Sequence, residues 1–366
     1  MNGNHTLFAP DNQAFDDPIV QPLANDPAGL ANVLAYHVLP GNFVNSSMNS
    51  SALASGVLPN VTLGHTLLAN SSLVQLEGNK SQVLAWSRND SDGQIYFLNQ
   101  NPQVNVLNTS TIGNNLLVAS IDGVLQLPGN ISSVLDQNNL TSVLGFLNMV
   151  NVPGFYSNGS NATVNGVLDA NTTRGYTFFA PNNEAILNAN SSLASLANNQ
   201  TALAILLQNH YINGSSYYSP QLYSVASNGS NSNLNSSDLI SAAGEPFSLN
   251  TNSSGTFVTS GNGASAKIVK SDLLTENGVI HIIDHVLANT DSHPGRASSA
   301  YASATSVAAQ SSTQTGPIEG LPTSSATGTS RSNNPSNDAA SIRVGSMWGL
   351  IIAGAFGWAM VMFVGV

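Results

Sequence analysis

Three blocks of this chain return in the same order further along it. Thr6-Leu-Phe-Ala-Pro-Asp-Asn-Gln-Ala-Phe15 reappears as Thr177-Phe-Phe-Ala-Pro-Asn-Asn-Glu-Ala-Ile186, an offset of 171 residues. Leu30-Ala-Asn-Val-Leu-Ala-Tyr-His37 reappears as Leu203-Ala-Ile-Leu-Leu-Gln-Asn-His210, an offset of 173. Asn115-Leu-Leu-Val-Ala-Ser-Ile-Asp-Gly-Val-Leu125 reappears as Asn277-Gly-Val-Ile-His-Ile-Ile-Asp-His-Val-Leu287, an offset of 162. Near-constant spacing of this length excludes a solenoid, whose period is roughly 20–50 residues, and requires two tandem copies of one globular unit.

Each block has a local reading. The first is a short buried strand ended by Pro10 or Pro181, which lacks the N–H a ladder needs. Asp11 and Asn182 then stand where a side chain accepts the first free N–H groups of a helix, and Glu184 suits the helix dipole. In the second block Leu30, Val33, Leu34 and His37 form a helical apolar stripe, with Pro40-Gly41 and Gly214 as its terminators. The third block is β-branched and apolar, a mostly buried strand. Val, Thr, Leu and Gly with turn dipeptides lie between the second and third blocks, so several short hairpins are expected there. Helices followed by strands predict an α+β fold, not a βαβ alternation.

Charge is scarce. Eight Lys and Arg stand against nineteen Asp and Glu among 366 residues, a net −11, and the charged fraction is 7% against about 25% in an ordinary globular protein. The cations Lys80, Arg88, Arg174, Lys267, Lys270, Arg296, Arg331 and Arg343 are scattered, which excludes a phosphate-neutralising nucleic-acid surface. Cysteine is absent, and with it disulfides, thiolate metal sites and cysteine nucleophiles.

Asn, Ser and Thr take the place of charge, and many form N-x-[ST] sequons. Nineteen occur: Asn4, Asn45, Asn49, Asn60, Asn70, Asn79, Asn89, Asn108, Asn130, Asn139, Asn158, Asn161, Asn171, Asn190, Asn199, Asn213, Asn228, Asn235 and Asn252. Their spread over residues 4–252 reads as a secretory-pathway glycoprotein whose glycans supply the hydration that charges usually give. The C-terminal end agrees. Val344–Val366 is an uncharged stretch long enough to span a bilayer, preceded by a short spacer and by the small residues Asn337-Asp338-Ala339. This is the pattern of GPI attachment, with Asn337 as the candidate site, Ser336 and Asp338 as alternatives, and a single-pass helix as the other reading. Met1 runs directly into Asn-Gly-Asn-His-Thr, so secretion expects a leader upstream of this sequence. From Ser298 to Ser332, sixteen residues are Ser or Thr, and the stretch reads as a disordered, O-glycosylated stalk.

The two T-[LF]-F-A-P-[DN]-N-x-A strings resemble the first signature of fasciclin (FAS1) domains, the Tyr36-His37 segment resembles that family's Tyr-His segment, and Asn277–Leu287 is similar to its second signature. The resemblance spans residues 1 to about 290. It implies two FAS1-like domains, each a β-sheet wedge flanked by helices, at residues 1–129 (without the family's opening helices) and 130–290. A stalk with the GPI-attachment region follows at 291–343 and the hydrophobic tail at 344–366. It also implies a non-enzymatic adhesion or matrix role at the cell surface or wall, with glycoproteins or polysaccharides as partners, the membrane reached through a GPI anchor, and a fungal or plant source. If the Tyr-His segment carries partner contact, Tyr36, His37 and His210 are the candidate binding residues, with Asn209 replacing the tyrosine in the second copy.

The residues themselves point elsewhere for the histidines: on the apolar side of a helix end, a buried, hydrogen-bonded role is expected. Asp122 and Asp284 recur beside apolar residues without a second carboxylate for acid–base work, so a structural role is expected. His281-x-x-Asp284-His285 has zinc-ligand residue types, but the first copy carries Ala119 and Gly123 there, and no metal site is assigned. Asp90-Ser-Asp-Gly93 lacks the further ligands of a calcium loop, and Gly261-Asn-Gly-Ala-Ser-Ala266 reads as a hairpin turn. No G-x-S-x-G occurs. No cofactor and no enzymatic activity are expected. A structural wall glycoprotein without a specific binding site is the alternative.

Overall fold

In each copy the three repeated blocks lie side by side. The computed structural model describes residues 3–18, 20–41, 43, 60–152, 161–196, 198–228, 239–310 and 313–318. The first copy runs β1 (His5–Pro10), α1 (Pro27–Tyr36), β2 (Val38–Pro40), β3 (Val61–His65), β4 (Val83–Arg88), β5 (Ile95–Phe97), β6 (Val106–Ile112) and β7 (Leu116–Ile121). The second opens with α2 (Ile131–Gln137), α3 (Thr141–Met149), β8 (Asn151–Val152), β9 (Ala162–Thr163) and α4 (Val164–Leu168). It continues with β10 (Tyr176–Pro181), α5 (Asn183–Asn188), α6 (Asn190–Leu196), α7 (Gln200–Gln208), β11 (Tyr211–Asn213) and α8 (Ser219–Asn228). Strands β12 (Phe247–Asn252), β13 (Gly255–Ser260), β14 (Ser265–Leu274) and β15 (Val279–Ile283) follow, and α9 (Pro294–Gln310) comes last.

The first block pairs with the third as parallel strands: Thr6 opposite Leu117 and Phe8 opposite Ala119, and in the second copy Thr177 opposite Val279 and Phe179 opposite His281. On the other side β1 and β10 take antiparallel partners, with Leu7 opposite Val38 and Phe178 opposite Tyr211. The helix of the second block therefore ends at His37 or Asn209, and a strand stands between it and the expected terminators Pro40-Gly41 and Gly214. Leu34, expected on the buried stripe, is half exposed, and Tyr36 is buried instead. The cap reading holds for Asn182, whose Oδ1 accepts from Ala185 N at 2.7 Å. Asp11 accepts from Ala14 N at 2.9 Å, but the turn it opens (Gln13–Asp16) is a 3-10 helix.

The expected hairpins close differently in the two copies. In the second, they extend one six-stranded sheet in the order β11-β10-β15-β14-β13-β12. In the first, a four-stranded sheet β2-β1-β7-β6 meets a three-stranded sheet β3-β4-β5 through an isolated bridge, Tyr96 opposite Asn105. Between the first copy's sheets lies an aromatic core in which Phe8 meets Trp86 at 5.4 Å and Phe97 at 4.8 Å, both edge-on. Helix α8 was not expected between the second and third blocks. Pro220 in its first turn pre-sets the helical φ, and Ser219 N–H donates to the buried Asp272 carboxylate.

The expectation of disorder from Ser298 onward is corrected over residues 298–310, which belong to α9. The Ser/Thr count hid the alanines that favour a helix and lie in its contacts. A Cβ on Gly78 would sit 2.3 Å from Ala308 O, and one on Gly214 would meet Tyr301 and Ala304 at 3.0 and 3.3 Å. Glycine at both places lets the helix lie against both copies. The chain then reaches the first copy, where Ile318 N–H donates to Leu63 O at 2.8 Å and the Ile318 side chain is buried in the core with Leu63 and Trp86. The stalk and tail beyond residue 318 lie outside the described residues. Ile318→Ala is expected to destabilise the protein by about 2–4 kcal/mol, the range for a buried aliphatic truncation, measured by chemical denaturation. A loose stalk would leave the denaturation midpoint unchanged.

Candidate functional site

Tyr36, His37 and His210 do not form a partner surface. They are 1%, 1% and 0% exposed. The two histidines repeat one arrangement. His37 Nδ1 lies 2.7 Å from Val33 O, and its Nε2 accepts from Leu125 N at 3.0 Å. His210 Nδ1 lies 2.8 Å from Leu206 O, and its Nε2 accepts from Leu287 N at 3.0 Å. With an N–H pointing at Nε2, the proton sits on Nδ1 and the ring is neutral. Each ring thus ties the helix of the second block to the chain just past the third-block strand. The carbonyl of the same residue accepts from Phe8 N or Phe179 N in the first block. Tyr36 donates its hydroxyl to Val83 O on β4, and burial raises its pKa. Asn209, in the tyrosine's place, donates to Asn289 O and Asp291 O and accepts from Ser241 Oγ. Burial removes all three expected binding residues from reach; they hold the blocks together.

The other expected residues are structural as well. Asp122 accepts from Asn105 N at 2.6 Å, and Asp284 from Lys267 N at 2.7 Å, the same bond in both copies. His281 is fully buried with Nε2 2.9 Å from Tyr217 O, whereas exposed His285 pairs with Asp284. No group of three His, Cys, Asp or Glu among the described residues is arranged to hold a metal ion. Asp90–Gly93 lies in the turn between β4 and β5, and Gly261–Ala264 joins β13 to β14. A buried cluster missed from the sequence surrounds Asp272, which has φ +60°. Its carboxylate accepts from Ser219 N at 2.8 Å and from Ser219 Oγ, and its N–H points at His281 Nδ1, 3.4 Å away. The hydroxyl donates to the carboxylate and not to the imidazole, and the group is sealed from solvent, so no nucleophile is activated there. An aspartate directly before the apolar Leu273-Leu274 was the signal that could have located it.

Around this cluster the copies join through a polar seam. Gln75 N donates to Glu276 O at 2.8 Å, Gln82 Nε2 to Thr275 O at 3.1 Å, and Asn99 Nδ2 to Asp272 O at 2.6 Å. Buried Glu77 accepts from Ser216 Oγ at 2.9 Å and pairs with Lys80 at 3.0 Å. Tyr218, Leu274 and Val279 of the second copy complete the first copy's hydrophobic cluster. An open groove of about 390 Å³ lies elsewhere, between α5–α7 and residues 285–290, lined by small and apolar side chains together with Asn188 and His285.

The surface feature that does organise is the sequon array. The side chains of Asn45, Asn49, Asn158, Asn228 and Asn235 lie outside the described residues, as do Asn337 and Val344–Val366. Of the other fourteen sequon asparagines, twelve are exposed, and Asn60 and Asn213 are half-buried. The fully buried asparagines Asn209, Asn277 and Asn289 begin no sequon. Asn130 and Asn199 cap helices through Oδ1, accepting from Ser133 N and Ala202 N, which leaves Nδ2, the atom that carries an N-linked glycan, out of the cap bond. No helix of the described residues is long and apolar enough to cross a membrane.

Burial lowers the pKa of both His37 and His210 to about 4. As pH falls below about 6.5 the unfolded chain binds protons that the folded chain refuses until about pH 4. Stability is therefore fully present above pH 6.5 and falls toward pH 4, by about 1 kcal/mol per pH unit per histidine. Buried Asp272, whose pKa is raised by desolvation, acts in the opposite sense. His37→Gln is expected to be less stable at pH 7 but to lose less stability than wild type between pH 7 and 5. Asp272 is common to both proteins, so comparing their thermal melts isolates the imidazole.

The family pattern described as the fasciclin domain matches residues 1–128 and 151–289. A curated relative, a fasciclin-like arabinogalactan protein of Arthroderma benhamiae, is 23% identical over 291 residues. Those residues cover 78% of this chain and 58% of that protein, so this chain spans little more than half the relative's length. Among solved structures, a FAS1 domain pair from the insect cell adhesion molecule fasciclin I aligns over 78% of this chain and 89% of that one, at 16% identity and a TM-score of 0.36.

Proposed function

The chain belongs to the fasciclin domain family, and from that premise we propose that it is a non-enzymatic glycoprotein of the cell surface or wall, held by a GPI anchor, that adheres through its glycosylated exterior. Family membership and the name of the fungal relative support the surface or wall setting. The observation that carries the finer reading is the separation of sequon asparagines, exposed or half-buried, from buried asparagines outside sequons. In a chain with 7% charged residues, hydration and recognition fall to the glycans. Partners on this reading are wall or surface glycoconjugates that meet sugar and exposed polar backbone, not the interior Tyr-His segment. The GPI reading rests on the sequence at Asn337 and Val344–Val366.

One observation favours a second reading, in which the protein is a passive wall component: the side chains shared by both copies' blocks are largely interior. The two readings part in a cell-to-matrix adhesion assay. Enzymatic removal of N-glycans is expected to cut adhesion several-fold, while Tyr36→Phe, which keeps the packing, leaves it unchanged. A passive component gives no adhesion above background with or without glycans. For the anchor, a GPI-specific phospholipase acting on cells that express the chain behind a secretory leader is expected to release it. Retention of a surface-exposed product would replace the anchor with a spanning helix or a wall cross-link.

A further inference from the structure

We propose that Asn79 receives its glycan before the second copy docks on the first, and that the Ser81 hydroxyl is retained for that transfer and not for the fold. The proposal rests on the glycoprotein reading. A buried hydroxyl is costly unless it is hydrogen-bonded. Among the described residues, every buried serine or threonine outside a sequon makes such a bond through its side chain, as Thr66 does with Gln82 O and Ser241 with Asn209 Oδ1. Two buried hydroxyls find no partner there, Thr6 Oγ1 and Ser81 Oγ. Each is the third residue of a sequon, Asn4-His-Thr6 and Asn79-Lys-Ser81. Thr177, which stands in Thr6's place in the second copy, lies in no sequon, and its Oγ1 donates to Ser215 O and accepts from Tyr217 N. A sequon hydroxyl can also serve the fold, as Thr173 does by donating to Val167 O, but Ser81 does not. Alanine would fill its place without an unmet hydroxyl. What alanine would not supply is the third residue of the Asn79 sequon.

The folded protein encloses this tripeptide. Asn79 stands at φ +54° and accepts through Oδ1 from Arg174 of the second copy at 3.3 Å, which leaves Nδ2 out of that bond. Lys80 pairs with Glu77, which in turn accepts from Ser216 of the second copy. Beside Ser81, which is 7% exposed, Gln82 donates across the seam to Thr275 O. The sequons of Asn70 and Asn89 are the opposite case. Their third residues Ser72 and Ser91 are exposed, and each donates its N–H and its hydroxyl to Oδ1 of its own asparagine at 2.8–3.1 Å. In the transfer, Nδ2 loses a proton and bonds C1 of a sugar, while the bond from C1 to a polyprenyl diphosphate breaks and the diphosphate leaves. An enzyme that engages both asparagine and hydroxyl finds them together on the folded surface at Asn70 and Asn89. At Asn79 it finds both only before the seam closes. Chain order supplies the interval, because Arg174, Ser216 and Thr275 are synthesised after Ser81.

The test uses the full-length chain in two arms. In one it is translated behind a secretory leader into microsomes. In the other it is purified unglycosylated and folded, in mild detergent, and offered to an oligosaccharyltransferase with a lipid-linked oligosaccharide. Peptide mass spectrometry reads occupancy. Asn70, Asn79 and Asn89 are expected to be filled in the first arm; in the second, Asn70 and Asn89 are filled and Asn79 stays below a tenth of its first-arm occupancy. Melting curves of the unglycosylated protein are expected to place Ser81→Ala at or above wild type and Ser241→Ala below it. Asn79 empty in the first arm while other sequons are filled overturns the proposal alone, and emptiness of every sequon overturns the glycoprotein reading as well. Asn79 faring as Asn70 and Asn89 do on the folded protein, filled or refused, overturns the order. A Ser81→Ala loss as large as that of Ser241→Ala overturns the retention of the hydroxyl for transfer.

Discussion

The fold depends on two strands more than a hundred residues apart lying side by side. A parallel pair cannot be closed by a tight turn, so everything between β1 and β7, or between β10 and β15, becomes the crossover that covers the pair. Those strands are apolar on their buried faces, and β15 is buried along its whole length, so the crossover has to supply helices and further strands to cover them. The histidine ending the second block holds this together from inside. It receives an N–H from the end of the third block on its ring and one from the first block on its carbonyl. That a neutral ring does this in both copies explains why the position keeps its histidine when its neighbour changes from Tyr36 to Asn209.

The two copies are not beads on a string. Side-chain amides and backbone groups cross the seam, the second copy lends Tyr218, Leu274 and Val279 to the first copy's core, and α9 lies against glycines of both. A buried seam of this kind is costly unless its polar groups are satisfied; Glu77 and Asp272 are, whereas Gln75 Oε1 finds no partner among the described residues. The two copies accordingly fall within one compact unit.

The outer surface is unusual in having little charge to keep it hydrated. Sequons occupy the exposed turns, caps and sheet-terminal strands where other proteins place lysine and glutamate. On the proposed reading, glycans attached there supply the hydration that charges give elsewhere.

The repeat, the strands of the first and third blocks, the Asn182 cap and the family were legible from the sequence, because local pattern and self-similarity carry them; that the two strands pair in parallel was not. The structural roles of Asp122 and Asp284 were legible for the same reason, since each recurs without a catalytic companion. Leu34 turned outward and Tyr36 inward because tertiary contact with β4, not helical period, decides which side of a short helix is covered. The Ser/Thr stretch became a helix because alanines within it met Gly78 and Gly214 from distant segments, and no local composition reports such contacts. The Asp272 cluster arose for the same reason: Ser219 on α8 lies far along the chain from Asp272 and His281 on the β14–β15 hairpin, and meets them only through tertiary packing. The sequence by itself determined which residues repeat and where sugar can attach. Only the tertiary structure decided which of them face water, because burial is settled by the elements that pack on a residue and not by its neighbours in the chain.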